Sequence, residues 1–291
     1  MTRKTKKTRK TKKTRVDMTD QSSSVTAGDV DVHPSAIVHR TAHLGQGVRV
    51  GPFALIDADV SIGDGTTIGP QVVIHRDVTI GRDNVLDVGV IIGCAPLHKG
   101  YRGERTSVRI GNGNVLREQV TIERGYGEGT TTVIGDRSFF MTGVHVGHNV
   151  IIGNEVVLTC GTLLAGFVRV EDQANLSGNV GVHQFVRIGR LAMVGGVSMV
   201  RQDVPPFVLI SGNPARANAL NTVGLVRAGV DASHRRALKR AFVLLYRSGL
   251  SVPTALTRME SEVGRDPYVQ SMLAFIRASQ KRGIVRWAKE K

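Results

Sequence analysis

An aliphatic residue recurs at every sixth position along most of this chain. The series begins at Val32 and runs through Val38, Leu44, Val50, Ile56, Ile62, Ile68, Ile74, Ile80, Leu86 and Ile92. It resumes at Ile110, Leu116 and Ile122, and again from Ile134 to Val200. Of 29 in-phase positions from 32 to 200, only His98, Glu104 and Glu128 break the rule, and Gly often follows the anchor, as in Ile62-Gly63 and Ile152-Gly153. Such a period is neither the ~2 of a half-buried strand nor the ~3.6 of a helix. It predicts a parallel β-helix with one inward aliphatic residue on each flat side of a triangular coil. Glycine and small polar residues would turn the corners. Three sides make an 18-residue coil, and about ten coils fit between residues 32 and 206. The three breaks mark excursions near residues 94–109 and 124–133 that return in register, the usual place for binding residues on a solenoid.

After Pro205-Pro206 the period stops. Leu238, Ala241, Phe242 and Leu245 then form a helical stripe, with Gly249 as its stop. Ser251 with Pro253, and Asp266 with Pro267, read as the starts of two further helices, the last burying Met272, Phe275 and Ile276. The expected organisation is therefore a basic tail over 1–31, a β-helix over 32–215 and a helical domain over 216–291.

Composition refines this outline. Hydrophobic residues make up 41% and aromatic residues only 4%, which suits a repetitive Val/Ile/Leu core. The net charge of +15 is concentrated at the two ends. Residues 1–17 hold nine Lys/Arg and one Asp, with TRKTKK twice in succession, so a disordered tail is expected. Such a tail permits contact with nucleic acid or anionic membrane, but a solvated extension, or initiation at Met18, explains it as well, so no nucleic-acid partner is expected. Residues 224–291 hold 14 Lys/Arg and 5 Asp/Glu, which suggests an acidic partner docking there. No apolar run reaches the roughly 20 residues of a membrane span, and no apolar stretch of a secretory signal follows the basic residues. Cys94 and Cys160 lie in no ligand spacing, so a reduced cytoplasmic setting fits.

Candidate chemistry gathers at His145-Val-Gly-His148-Asn149. His148 stands two residues past anchor Val146, so it should point off the coil. One coil on stands Gly166, and one further Gln184. A histidine can take the proton of an attacking hydroxyl, and an exposed glycine N–H can hold a thioester oxyanion. A solvated surface histidine is the plain alternative. A metal site from His145, His148 and His183 is another, although the spacing of three on one coil is poor for it. No cofactor or metal is expected.

Several stretches resemble the bacterial UDP-N-acetylglucosamine O-acyltransferases. They are His145-Val-Gly-His148, Leu164-Ala-Gly166, Val182-His-Gln-Phe185, Gln202-Asp-Val-Pro-Pro206, Gly212-Asn-Pro214, Gly224-Leu-Val-Arg227 and Leu245-Tyr-Arg-Ser-Gly249. The resemblance spans roughly residues 32–285 and implies a left-handed helix, since periodicity is silent about hand. It implies transfer of a 3-hydroxyacyl chain from acyl carrier protein to the sugar 3-hydroxyl, the first step of lipid A biosynthesis, by a homotrimer with sites between subunits. His148 would be the general base and Gly166 the oxyanion donor. His183 and Gln184 would line the sugar and acyl site, Asn221 and Arg227 would hold uridine and phosphate, and Gly196 would leave room for a longer acyl chain. The basic C-terminal domain would dock the acidic carrier protein.

The chain also departs from that family. Its loop keeps Gly93, Tyr101, Gly103 and Glu104, but the Asp and Lys that contact the sugar in that family are here His98 and Gly100, with Lys99 adjacent as the expected substitute, so His98, Lys99, Tyr101 and Glu104 are expected at the substrate. The acid after the catalytic histidine is Asn149, the His after the oxyanion glycine is Phe167, and Thr-Ile-His-Arg-Gly reads Thr121-Ile-Glu123-Arg-Gly125. Three readings follow: O-acyl transfer to UDP-N-acetylglucosamine, acylation of another nucleotide sugar or an amine, and a non-catalytic assembly protein.

Overall fold

The computed structural model describes residues 29–288, so most of the basic tail lies outside the described residues. Its short strands, β1 (Asp31–Val32) through β28 (Arg216–Leu220), stack into three sheets. Sheet A runs from β1 to β28, sheet B carries the anchors Val38 to Val200, and sheet C carries Leu44 to Ile188. All pairings are parallel except that of β27 (Val208–Ser211) with β28. Anchors stack on anchors: Val146 lies between Ile122 and Leu164, and Leu164 is followed by Val182. This is a left-handed parallel β-helix of hexapeptide repeats, and the anchors from Val50 to Val200 are buried in one continuous core.

Glycine works differently from the sequence expectation. Gly63, directly after its anchor, is needed because a Cβ there would sit 2.6 Å from the Gly81 carbonyl carbon of the next coil. The corner itself is turned two residues later, at positions with left-handed φ. Gly47 and Gly65 occupy some of these, but Asn149, Phe167 and Phe185 adopt the same conformation without being glycine. Close stacking and turning are thus assigned to different positions.

Ile92 pairs with Ile122, and Ile122 with Val146; these partners are 30 and 24 residues apart rather than 18. The chain leaves the coil over residues 95–106, between β11 (Ile91–Cys94) and β12 (Ser107–Ile110), and over 124–130, between β14 (Thr121–Glu123) and β15 (Thr131–Ile134). Both excursions therefore project from the corner between sheets B and C, on consecutive coils. Arg124, 3% exposed, closes the mouth of the first. Its guanidinium donates to Gly93 O (2.9 Å), Thr106 O (3.3 Å) and Arg76 O.

Sequence reading missed a polar ladder inside the corner between sheets C and A. Buried Asn84 and Asn114 stack there; Asn114 Nδ2 donates to Asn84 Oδ1 (3.0 Å) and Gly135 O (3.0 Å), and its Oδ1 accepts from Ser138 N (2.8 Å). Asn114→Leu strands the Gly135 carbonyl and the Ser138 N–H in the core. At about 1–3 kcal/mol for each buried unsatisfied group, denaturant titration should show a loss of several kcal/mol.

The hairpin of β27 and β28 spans residue 215, so the coil passes into the helices without a linker. Among the described residues four helices follow rather than three. The short α1 (Thr222–Arg227) was not anticipated; α2 (Ala232–Tyr246), α3 (Val252–Val263) and α4 (Pro267–Arg277) match the expected stripes and caps, with Ser251 and Asp266 accepting from first-turn amides. The chain then returns to the coil, where Asp203 N donates to Gly283 O and Val285 N to Asp203 O.

Candidate active site

His148 follows β17 (His145–Val146) at the B–C corner, directly under the two excursions. It points off the coil, yet it is only 7% exposed. The cover comes from aromatic rings: His98, Tyr126 and Phe167 meet its ring edge-on with centroids 5.5, 5.6 and 5.2 Å away. His98 lies tilted on Tyr126 at 3.8 Å. Phe167 stacks on Phe185 at 4.8 Å, and Lys281 Nζ stands 3.4 Å over the Phe185 ring. A row of rings thus runs up this corner from the imidazole to the returning C-terminal segment.

The tautomer of His148 follows from its neighbours. Asn149 Oδ1 accepts from Tyr126 N (2.8 Å), which fixes the amide orientation, and lies 2.9 Å from His148 Nδ1. An amide oxygen cannot donate, so Nδ1 carries the proton and Nε2 keeps its lone pair. Asn149 is itself held by its own N–H donating to buried Thr132 Oγ1 (2.9 Å). Gly166 stands against the other side of the ring. A Cβ there would lie 2.5 Å from both Cε1 and Nε2. Among the described residues no acceptor takes the Gly166 N–H, while its carbonyl accepts from Phe185 N. The Gly166 backbone, its N–H without an acceptor, thus packs against the Nε2 edge of a covered imidazole, and these are the two kinds of group that acyl transfer from a thioester needs.

The other expected residues divide by corner. Tyr101 and Glu104 stiffen the first excursion: Glu104 accepts from Arg102 N (2.8 Å) and Gly127 N (3.2 Å), and Tyr101 OH donates to Glu104 O. Lys99 is exposed at its tip. Gln184 and His183 sit one coil beyond Gly166, with His183 Nδ1 near Gln184 O (3.3 Å). His145 turns to Thr121 Oγ1 (2.8 Å) and Glu123 (3.5 Å). Among the described residues no three His, Cys, Asp or Glu gather to hold a metal.

Asn221, Arg227 and Gly196 are not beside His148. Asn221 and Arg227 line a separate cleft of about 500 Å³ against sheet A, with Asn175, Leu191 and Met193. There Asn221 caps α1 through Gly224 N (3.0 Å) and donates to Leu191 O (2.9 Å). Gly196 lies at the A–B corner, exposed. The corner of Gly196 is legible from its phase in the 18-residue coil, whereas Asn221 and Arg227 follow the end of the repeat, where no phase remains to count.

Sequence reading had noted Glu123 only as a departure and did not anticipate the contacts of Tyr126 or Lys281. Glu123 is 1% exposed. Burial first, and then the charge of Glu123, push the Cys94 thiol up to about 11, so it stays an unreactive thiol near neutral pH.

A hexapeptide β-helix whose covered corner pairs an imidazole with a free glycine amide has the architecture of a hexapeptide acyltransferase. Residues 203–285 match the family described as UDP N-acetylglucosamine O-acyltransferase, domain 2, and residues 41–76 match the bacterial transferase hexapeptide repeat. The acyl-[acyl-carrier-protein]–UDP-N-acetylglucosamine O-acyltransferase of Verminephrobacter eiseniae is 44% identical over 260 residues, covering 88% of this chain and 99% of the relative. Its counterpart in Synechocystis is 48% identical over 194 residues, or 66% of this chain and 69% of that one. The solved UDP-N-acetylglucosamine acyltransferase of Bacteroides fragilis superposes with a TM-score of 0.85 at 36% identity, covering 88% of this chain and all of the other. The chain belongs to the acyl-[acyl-carrier-protein]–UDP-N-acetylglucosamine O-acyltransferase family, and it is an acyltransferase.

Proposed function

We propose that this enzyme moves a 3-hydroxyacyl chain from acyl carrier protein to the 3-hydroxyl of UDP-N-acetylglucosamine, the opening step of lipid A biosynthesis. The observation that carries the reading is the packing of the Gly166 backbone, its N–H unpaired, against the Nε2 edge of His148 at one covered corner. Nε2 takes the proton as the sugar hydroxyl attacks the thioester carbonyl. The oxyanion forms against the Gly166 amide. Collapse breaks the C–S bond, and the departing thiolate receives the proton from the imidazolium. Asn149 holds Nδ1 as a neutral acceptor, so the imidazolium gains orientation from it rather than charge compensation. The named relatives favour this reading over a different sugar or a non-catalytic role. Incubation with UDP-N-acetylglucosamine and a mixture of acyl-carrier-protein thioesters, read by mass, tests it. Absence of an O-acylated sugar nucleotide would refute it.

The enzyme is further read as a homotrimer. Outward positions of sheet A include Val85, Val115 and Phe139, and those of sheet B include Ile37 (65% exposed) and Leu163 (52% exposed), whereas sheet C presents Arg109, Arg169 and Arg187. Two adjacent faces with apolar outward positions, and a third that carries these arginines beside Ile151 (40% exposed), suit a closed ring in which sheet A of one copy meets sheet B of the next. The cleft of Asn221 and Arg227 on one copy would then border the His148 corner of its neighbour. Co-expressing two inactive variants, His148→Ala and Arg227→Ala, tests this. A shared site restores activity at roughly a quarter of the sites; a site contained in one chain restores it at none of the mixed pairings.

A further inference from the structure

The chemistry above makes no use of the buried carboxylate nearest the base. We propose that Glu123 is a positioning residue that sets the distance between His148 and the acceptor-facing tip of the first excursion; the inference rests on the acyl-transfer reading. Glu123 Oε2 accepts from the His148 backbone N–H (2.9 Å), and Oε1 accepts from the Leu97 N–H (3.1 Å). These two amides belong to the coils on either side of the one that carries Glu123. One side chain thus braces the turn bearing the imidazole against the residue that precedes His98 and Lys99.

The surroundings leave the carboxylate little freedom. It is 1% exposed, and His145 Nε2 lies 3.5 Å from Oε1, with the far side of that ring held by Thr121. Arg124, next in the chain, fixes the mouth of the excursion through Gly93 and Thr106. What Arg124 leaves adjustable is the tip, and Glu123 is the group that ties the tip to His148. The tip in turn brings His98 onto Tyr126 and to the edge of the base. A shift of the brace would therefore change the distance between base and acceptor without touching Phe167 and Phe185, which stand on the following coils.

Two substitutions probe the brace from opposite directions. Glu123→Gln keeps the size, but its amide nitrogen cannot accept an N–H, so one of the two bonds is lost. Glu123→Asp keeps both acceptors and the charge, but withdraws them by about 1.5 Å. Each variant is expected to lower kcat by roughly 10–100-fold and to raise KM for UDP-N-acetylglucosamine, with KM for the acyl donor unchanged. Proton contacts between the His148 and His98 rings, whose centroids lie 5.5 Å apart, should be seen by NMR in the wild type and weaken in both variants, while the Nδ1–H tautomer set by Asn149 is kept. Wild-type kcat and sugar KM in both, or unaltered contacts between the two rings, would overturn the proposal. Should the glutamine variant not fold, the aspartate variant carries the test. Inactivity of the wild-type enzyme would refute the acyl-transfer reading instead, and the ring contacts would still decide the role of Glu123.

Discussion

His148→Ala lowers kcat/KM by roughly 10²–10⁴-fold, the range of a positioned general base. The ring lies outside the aliphatic core, packed under the excursions against His98, Tyr126 and Phe167. Its loss removes edge contacts but no coil anchor, and Asn149 Oδ1 keeps its bond from Tyr126 N. Circular dichroism and the melting temperature should therefore stay close to wild type while transfer collapses. Steady-state rates on both substrates check this. Retention of the wild-type rate would mean that the sugar proton leaves by another route.

Gly166→Ala is expected to be nearly as damaging, with a loss on the order of 10²–10³-fold. The backbone at Gly166 is not left-handed, so alanine can adopt it. The obstacle is the imidazole, because the new methyl would sit 2.5 Å from Nε2 and Cε1 and 3.1 Å from Cδ2. The ring must rotate away from the spot that it shares with the Gly166 amide, and the methyl intrudes on the same space. Both groups of the proposed mechanism are therefore affected by one carbon. Because the two substitutions act on one unit, the double variant His148→Ala/Gly166→Ala should be little worse than either alone. Additive losses would show that histidine and glycine work independently.

The contrast between His148 and Asn221 shows how far linear reading reaches. His148, Gly166 and Gln184 share one phase of the repeat, so counting in coils of 18 stacks them, and the parallel register agrees. Asn221 and Arg227 follow the end of the repeat, where no phase remains to count; the structure puts them in a cleft against sheet A. The burial of His148 was hidden for a related reason. Both excursions are visible as breaks in phase, but their overhang depends on leaving the same corner on consecutive coils. That in turn depends on where each segment leaves and rejoins the coil, which a return to register does not by itself give.

The sequence by itself determined the coil, because an inward aliphatic residue every six positions has one economical burial, and each repeat specifies it locally. It also determined which residues share a corner, since parallel stacking keeps residues one coil apart in contact. Tertiary structure decided what covers that corner. His98, Tyr126 and Phe167 enclose the base, and Glu123 and Arg124 hold the excursions in place, through contacts between segments whose separation carries no period. Repetition makes the scaffold legible, and the departures from it meet only once the chain is folded.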